Sequence, residues 1–110
     1  MDIQNTAFTV TRWDTVPKEE YPGETGTSFW RVFQSENLRV RMVEYSANFK
    51  SDHFCPRGHV LLVLEGELYI RLKNGQEHRM TAGTSFQAGD DEANPHLAYS
   101  NTGARVFIVD

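Results

Sequence analysis

The stretch Asp52-His53-Phe54-Cys55-Pro56-Arg57-Gly58-His59 runs straight into the apolar Val60-Leu61-Leu62-Val63-Leu64 and the turn Glu65-Gly66-Glu67. It reads as one extended segment in which His53, Cys55 and His59 occupy odd positions. Alternate side chains of a β-strand share a face, so these three groups can converge on one point. A fourth group of the same chemistry, His96, lies far down the chain just before the last strand.

Working outward toward the C-terminus, Glu67-Leu68-Tyr69-Ile70-Arg71-Leu72 predicts a strand, and Asn74-Gly75 a tight hairpin in which both residues accept positive φ. Gln76 begins the return. Ala82-Gly83-Thr84 is a turn, Ser85-Phe86-Gln87-Ala88 a short strand, and residues 89–95 an acidic loop carrying Asp90-Asp91-Glu92. Two further strands, His96-Leu97-Ala98-Tyr99-Ser100 and Ala104-Arg105-Val106-Phe107-Ile108-Val109, flank the turn Asn101-Thr102-Gly103.

Toward the N-terminus, residues 46–52 read as a loop. Leu38-Arg39-Val40-Arg41-Met42-Val43-Glu44-Tyr45 alternates, with Leu38, Val40 and Met42 on one face and Arg39, Arg41, Val43 and Tyr45 on the other. Glu36-Asn37 is a turn and Ser28-Phe29-Trp30-Arg31-Val32-Phe33 a strand. Residues 14–27, with Pro17, Pro22, Gly23 and Gly26, predict a loop with room for one helical turn at Pro17-Lys18-Glu19-Glu20. Residues 6–13 alternate apolar side chains with Thr or Arg, the pattern of an edge strand. The expected architecture is a single all-β domain over residues 1–110: an N-terminal strand, a loop, and a barrel or sandwich from residue 28 onward.

A chain of 110 residues with 39% hydrophobic and 24% charged residues has the size and composition of one ordinary globular domain. Its formal charge of −4 offers no attraction to nucleic acid or an anionic membrane. The N-terminus lacks the basic and apolar regions of a signal peptide, and no apolar run has the length of a membrane span, so a cytoplasmic location is expected. The single cysteine fits a reducing compartment.

The motifs resemble those of a small single-domain cupin, a jelly-roll β-barrel (double-stranded β-helix). The first cupin motif, His-x-His then Glu then Gly, is matched by His53, Cys55, His59 and Gly66, and the family phrase around the glycine by Leu64-Glu65-Gly66-Glu67-Leu68. The second motif is matched by Gly83, His96 and Asn101. Cys55 stands where the second His is usual, His59 where Glu is usual, and Gly89 where Pro is usual. The block Asp52-His53-Phe54-Cys55 is similar to the cupin subgroup known for a DHCW motif, which usually has Trp at the place of Phe54 and carries no activity over to this chain.

The resemblance implies a metal held by His53, Cys55, His59 and His96. Imidazole and thiolate suit Zn or Fe, and also Ni, Cu or Mn. Taken singly, each of these residues is as well read as a hydrogen-bonded core histidine or a small buried cysteine. His78, beside the hairpin, reads as a solvated surface residue. If the face bearing Arg41 and Tyr45 points inward, those residues and Tyr99 would bind a small polar or carboxylate-bearing molecule; if it points outward, Val40 and Met42 fill the core instead. Two functions follow: a metal-dependent enzyme of dioxygenase or isomerase type, or a non-catalytic barrel with a structural metal or a ligand-sensing role. Apolar residues on both faces of Val60-Leu61-Leu62-Val63-Leu64 lead to the expectation of a homodimer.

Overall fold

The structure, a computed structural model, describes residues 2–55, 59–89 and 95–110, with residue 59 defined by its place in a strand alone. Among the described residues, nine strands follow one another: β1 (Glu19–Pro22), β2 (Thr27–Ser35), β3 (Leu38–Tyr45), β4 (Phe49–Lys50), β5 (His59–Leu72), β6 (Glu77–Thr81), β7 (Ser85–Ala88), β8 (His96–Ser100) and β9 (Ala104–Val109). All pairings are antiparallel. The order is β1-β2-β3-β9-β5-β8-β4, with β6 and β7 also paired to β5. Among the described residues, no helix is long and apolar enough to cross a membrane.

β5 is the strand on which the jelly roll turns. Its first half pairs with β9 and β7, through Leu61↔Ile108 and Leu61↔Phe86. Its second half pairs with β6 and β8, through Ile70↔His78 and Ile70↔Ala98. Pairing with β9 passes an irregularity between Val63 and Glu65 and ends at Gly66, φ 79°; pairing with β6 begins at Glu67. A bulge followed by a glycine in the left-handed region bends a strand without ending it. The sequence pattern marked Glu65-Gly66-Glu67 as a turn; it is the corner of one long strand.

The concave face is packed by Val43, Leu61, Val63, Leu68, Ile70, Met80, Val106 and Ile108, each at most 5% exposed. Burying each such side chain contributes roughly 1.5–3 kcal/mol. Val43 in this set settles the orientation of β3. Its face with Arg39, Arg41 and Tyr45 is the inner one, and Arg41 is only 6% exposed.

Several segments depart from the sequence reading. Residues 6–13 form no strand: Phe8 is 97% and Val10 71% exposed, and a 3-10 turn occupies Trp13–Thr15. Alternation makes a strand only where a sheet edge is open to receive it, and β1 occupies the edge beside β2. The segment is tied down instead by Trp13 meeting Phe107 edge-on at 6.4 Å and by Arg31 donating to the carbonyls of Trp13 and Val16. β1 itself lies in the expected loop, with Glu19 and Glu20 extended rather than helical. Its position at a sheet edge accommodates Pro22, which lacks a ladder donor.

β4 likewise lies within the expected 46–52 loop. The hairpin after β5 has three loop residues rather than two, because Leu72 pairs with Gln76 and only Gly75 (φ 95°) is left-handed. The extended reading of Pro56-Arg57-Gly58 and the acidic loop at Asp90-Asp91-Glu92 lie outside the described residues.

Candidate functional site

A cavity of about 230 Å³ opens inside the barrel, and its lining draws on most of the strands around it. Its lining includes the His and Cys donors Cys55, His96 and His53, the polar groups Arg39, Arg41, Tyr45 and Asp110, and the apolar Leu61, Ile70 and Ile108 beside Trp30. A second cavity of about 390 Å³ shares Ile70, Phe86 and His96 and adds Leu72, His78 and Met80. His78 is exposed, as expected, yet it borders this second space beside His96.

Cys55 and His96 are brought together by pairing across strands. Cys55 donates its amide to the His96 carbonyl at 2.7 Å, and His96 returns the bond at 3.0 Å, forming an isolated antiparallel bridge. Residues facing each other in such a doubly bonded pair present their side chains on the same side, with Cα atoms about 5.5 Å apart. His96 is 6% exposed and meets Phe86 edge-on at 5.3 Å; Cys55 is half-buried.

His53 is different. A bend at Asp52 and His53 interrupts the extended backbone, so the period-two relation to Cys55 fails there. The His53 side chain is 74% exposed, and its Nδ1 lies 2.6 Å from Asp52 Oδ1. That hydrogen bond holds the Asp52 carboxyl below the usual range. Residue 59 sits in β5 opposite Ala88, two positions before Leu61; its side chain lies outside the described atoms. Among the described residues, no three His, Cys, Asp or Glu side chains gather at a point that could hold a metal ion. The chemistry of His and Cys donors suits a transition metal; Cys55 and His96 are paired through a backbone bridge, and His53 lines the same cavity.

Arg39, Arg41 and Tyr45, which the sequence placed on one face of β3, share this wall with Asp110. Arg39 and Asp110 exchange backbone hydrogen bonds at 2.8 and 2.9 Å, which places their side chains on one face. The Asp110 carboxylate, 1% exposed, accepts from Arg39 Nε at 3.0 Å and Nη2 at 2.7 Å, and from Arg41 Nη2 at 3.2 Å. Both guanidiniums lie over the Trp30 ring, Cζ to ring centroid 4.4 Å for Arg41 and 5.7 Å for Arg39. The hydrogen bond to Asp110 raises the Arg39 pKa, whereas burial is the larger influence on Arg41 and lowers it. Asp110 was not singled out from sequence. The signal was present in β9, where Ala104, Val106 and Ile108 share the inward parity that Asp110 continues.

Tyr45 borders the same cavity, and burial pushes its phenol from the ordinary value of 10.0 up to about 12. The group is therefore a neutral donor at physiological pH. The unfolded chain gives up this proton near pH 10 and the folded protein holds it to about 12, so stability is full below 10 and falls as pH rises through that window. Ultraviolet titration of tyrosinate should show a high-pH component that Tyr45→Phe removes; an unchanged upper end of the curve would contradict the assignment. Tyr99 is not brought to the cavity. It pairs with Lys50 and Tyr69, stacks on the Tyr69 ring at 4.8 Å, and donates its hydroxyl to Glu77.

No family model matches the sequence, and no curated protein matches it. Solved structures do. A RmlC-like cupin from Shewanella frigidimarina superposes with a TM-score of 0.73 at 20% identity, covering 94% of this chain and 89% of that one. A sugar phosphate isomerase of the cupin superfamily from Silicibacter pomeroyi gives 0.70 at 19% identity, covering 92% and 74%. Fe(II)-HppE, solved with the alternative substrate (S)-1-HPP, gives 0.74 at 16% identity, covering 94% and 60%. The chain has the cupin fold, shared with proteins of varied enzymatic roles.

Proposed function

We propose that this cupin-fold chain is a metal-binding protein that takes a small polar molecule into its barrel and acts on it. The observation that carries the reading is the composition of one cavity wall, which holds the bridged pair Cys55 and His96 together with Arg39, Arg41, Tyr45 and Asp110. His59 is the proposed third ligand, since it stands where the first cupin motif has a ligand. His53 completes the set if its side chain leaves Asp52. The phrase Asp52-His53-Phe54-Cys55 supports placing the chain near the DHCW subgroup.

A bound Zn or Fe would supply Lewis-acid polarisation of a substrate oxygen, the chemistry expected of an isomerase- or dioxygenase-type enzyme. The chain's own residues would do the rest. Arg39 and Arg41 hold an anionic group, Tyr45 donates a proton in a hydrogen bond, and Trp30, Leu61, Ile70 and Ile108 keep water away. The alternative is a non-catalytic barrel. A metal on Cys55 and His96 would then act as a staple, reinforcing the bridge that ties Cys55 to β8 beyond the Ser51–Ala98 hydrogen bond.

Metal analysis of untagged protein tests both readings. About one equivalent of transition metal is expected, lost in Cys55→Ala and His96→Ala and kept in His78→Ala. Wild-type protein without stoichiometric metal would sink the enzyme and the staple and leave the ligand-sensing barrel. Zinc held by four protein donors favours the staple; iron with a water in its shell favours the enzyme.

A further inference from the structure

Arg41 is a buried cation that its surroundings answer only in part. Its side chain is 7% exposed, its Nη2 reaches Asp110 at 3.2 Å, and its Nε is buried with no hydrogen-bond partner. Asp110 meanwhile takes two donors from Arg39 and one from Arg41. Two guanidiniums thus share the Asp110 side-chain carboxylate, and the Arg41 Nε is left without an acceptor. An unpaired donor on a buried guanidinium is costly, and the fork of an Arg matches a planar carboxylate edge-on.

We infer that Arg41, backed by Trp30 and flanked by Arg39 and Asp110, forms a subsite for the carboxylate of a small organic monoanion. The cavity of about 230 Å³ holds on the order of eight water volumes, which limits the ligand to a short acid. Leu61 and Ile108 give its remainder an apolar wall. Asp110 acts as a resident competitor: it keeps both arginines in place and yields part of Arg41 to the incoming anion. The inference rests on the proposed reading of this cavity as the ligand site, and does not require the metal.

The test uses propionate and pyruvate, with propionamide as the neutral counterpart and inorganic phosphate as the dianion. A Trp13→Phe background leaves Trp30 as the only indole of the two in the chain, so its fluorescence reports the subsite. Saturable change with the carboxylates at millimolar concentration is expected, with none from propionamide and less from phosphate. Arg41→Lys keeps the charge but loses the fork and should weaken binding about tenfold or more. Asp110→Asn should tighten it, an effect that mere damage to the fold does not produce. Tyr99→Phe should change nothing.

Titrations run on metal-free and metal-loaded protein separate this inference from the metal reading. Carboxylate binding to metal-free protein supports the subsite whatever the metal analysis finds. Three results overturn it: no carboxylate-specific saturation in either form, equal binding of propionamide, or binding seen only with metal and unaffected by Arg41→Lys. The metal reading survives each of these if stoichiometric metal is present.

Discussion

Gly66→Ala should destabilise the protein by roughly 3–5 kcal/mol, enough to unfold a domain of ordinary stability at moderate temperature. A methyl group at this position would lie 2.2 Å from the Gly103 carbonyl oxygen and 2.9 Å from the Ala104 Cα. Both neighbours are backbone, so no side chain can swing away. The φ of 79° adds the penalty of a left-handed conformation. The contact cannot relax by sliding either, because Ser100, fully buried, donates to the Glu67 carbonyl at 2.6 Å and accepts from the Gly103 amide at 3.0 Å. Moving the corner of β5 would break the strands on both sides of it. Gly75→Ala is the control: its φ of 95° is also left-handed, but nothing lies within 4 Å, and a cost of about 1 kcal/mol is expected. Urea unfolding of the two variants checks the difference. Equal midpoints would show that the close approach at Gly66 carries no energy.

How far the sequence could be read depended on whether the deciding contacts were local. β3, β7, β8 and β9 lie where alternation and turn residues put them, because period two and a bounding Gly or Asn are properties of a few neighbouring residues. The β5 corner was misread as a turn, since a bulged strand that changes partners carries the same glycine signature as a strand end. The convergence of Cys55 and His96 was visible, but the structural reason for it is a cross-strand bridge over a separation of 41 positions. His53, placed with them by strand parity, is diverted by a bend.

For β3 the alternation defined two faces without saying which was inside. That choice is made by β9, whose register sets Val43 opposite Val106 and brings Asp110 beside Arg39, a contact spanning 71 residues. No local pattern contains it.

The same contact leads to the second large effect. Asp110→Ala should cost roughly 3–5 kcal/mol, the range for removing one partner of a buried ion pair. The loss is unequal for the two arginines. The Arg39 side chain, 23% exposed, can turn toward solvent; Arg41, at 7%, is left as a charge without its counterion. A double replacement distinguishes this from simple loss of packing. If the uncompensated charge is the cause, Arg41→Met should recover much of the stability in the Asp110→Ala background, because removing both members of a buried pair is often close to neutral. If packing is the cause, the two losses add. Equilibrium unfolding of the two single variants and the double variant measures the coupling, and additivity within about 0.5 kcal/mol would refute the charge argument. Ligand linkage offers a further check. A small carboxylate that occupies the vacated position should raise the unfolding midpoint of Asp110→Ala more than that of the wild type, since it binds only the folded state. That rescue would be lost in the variant that also carries Arg41→Met.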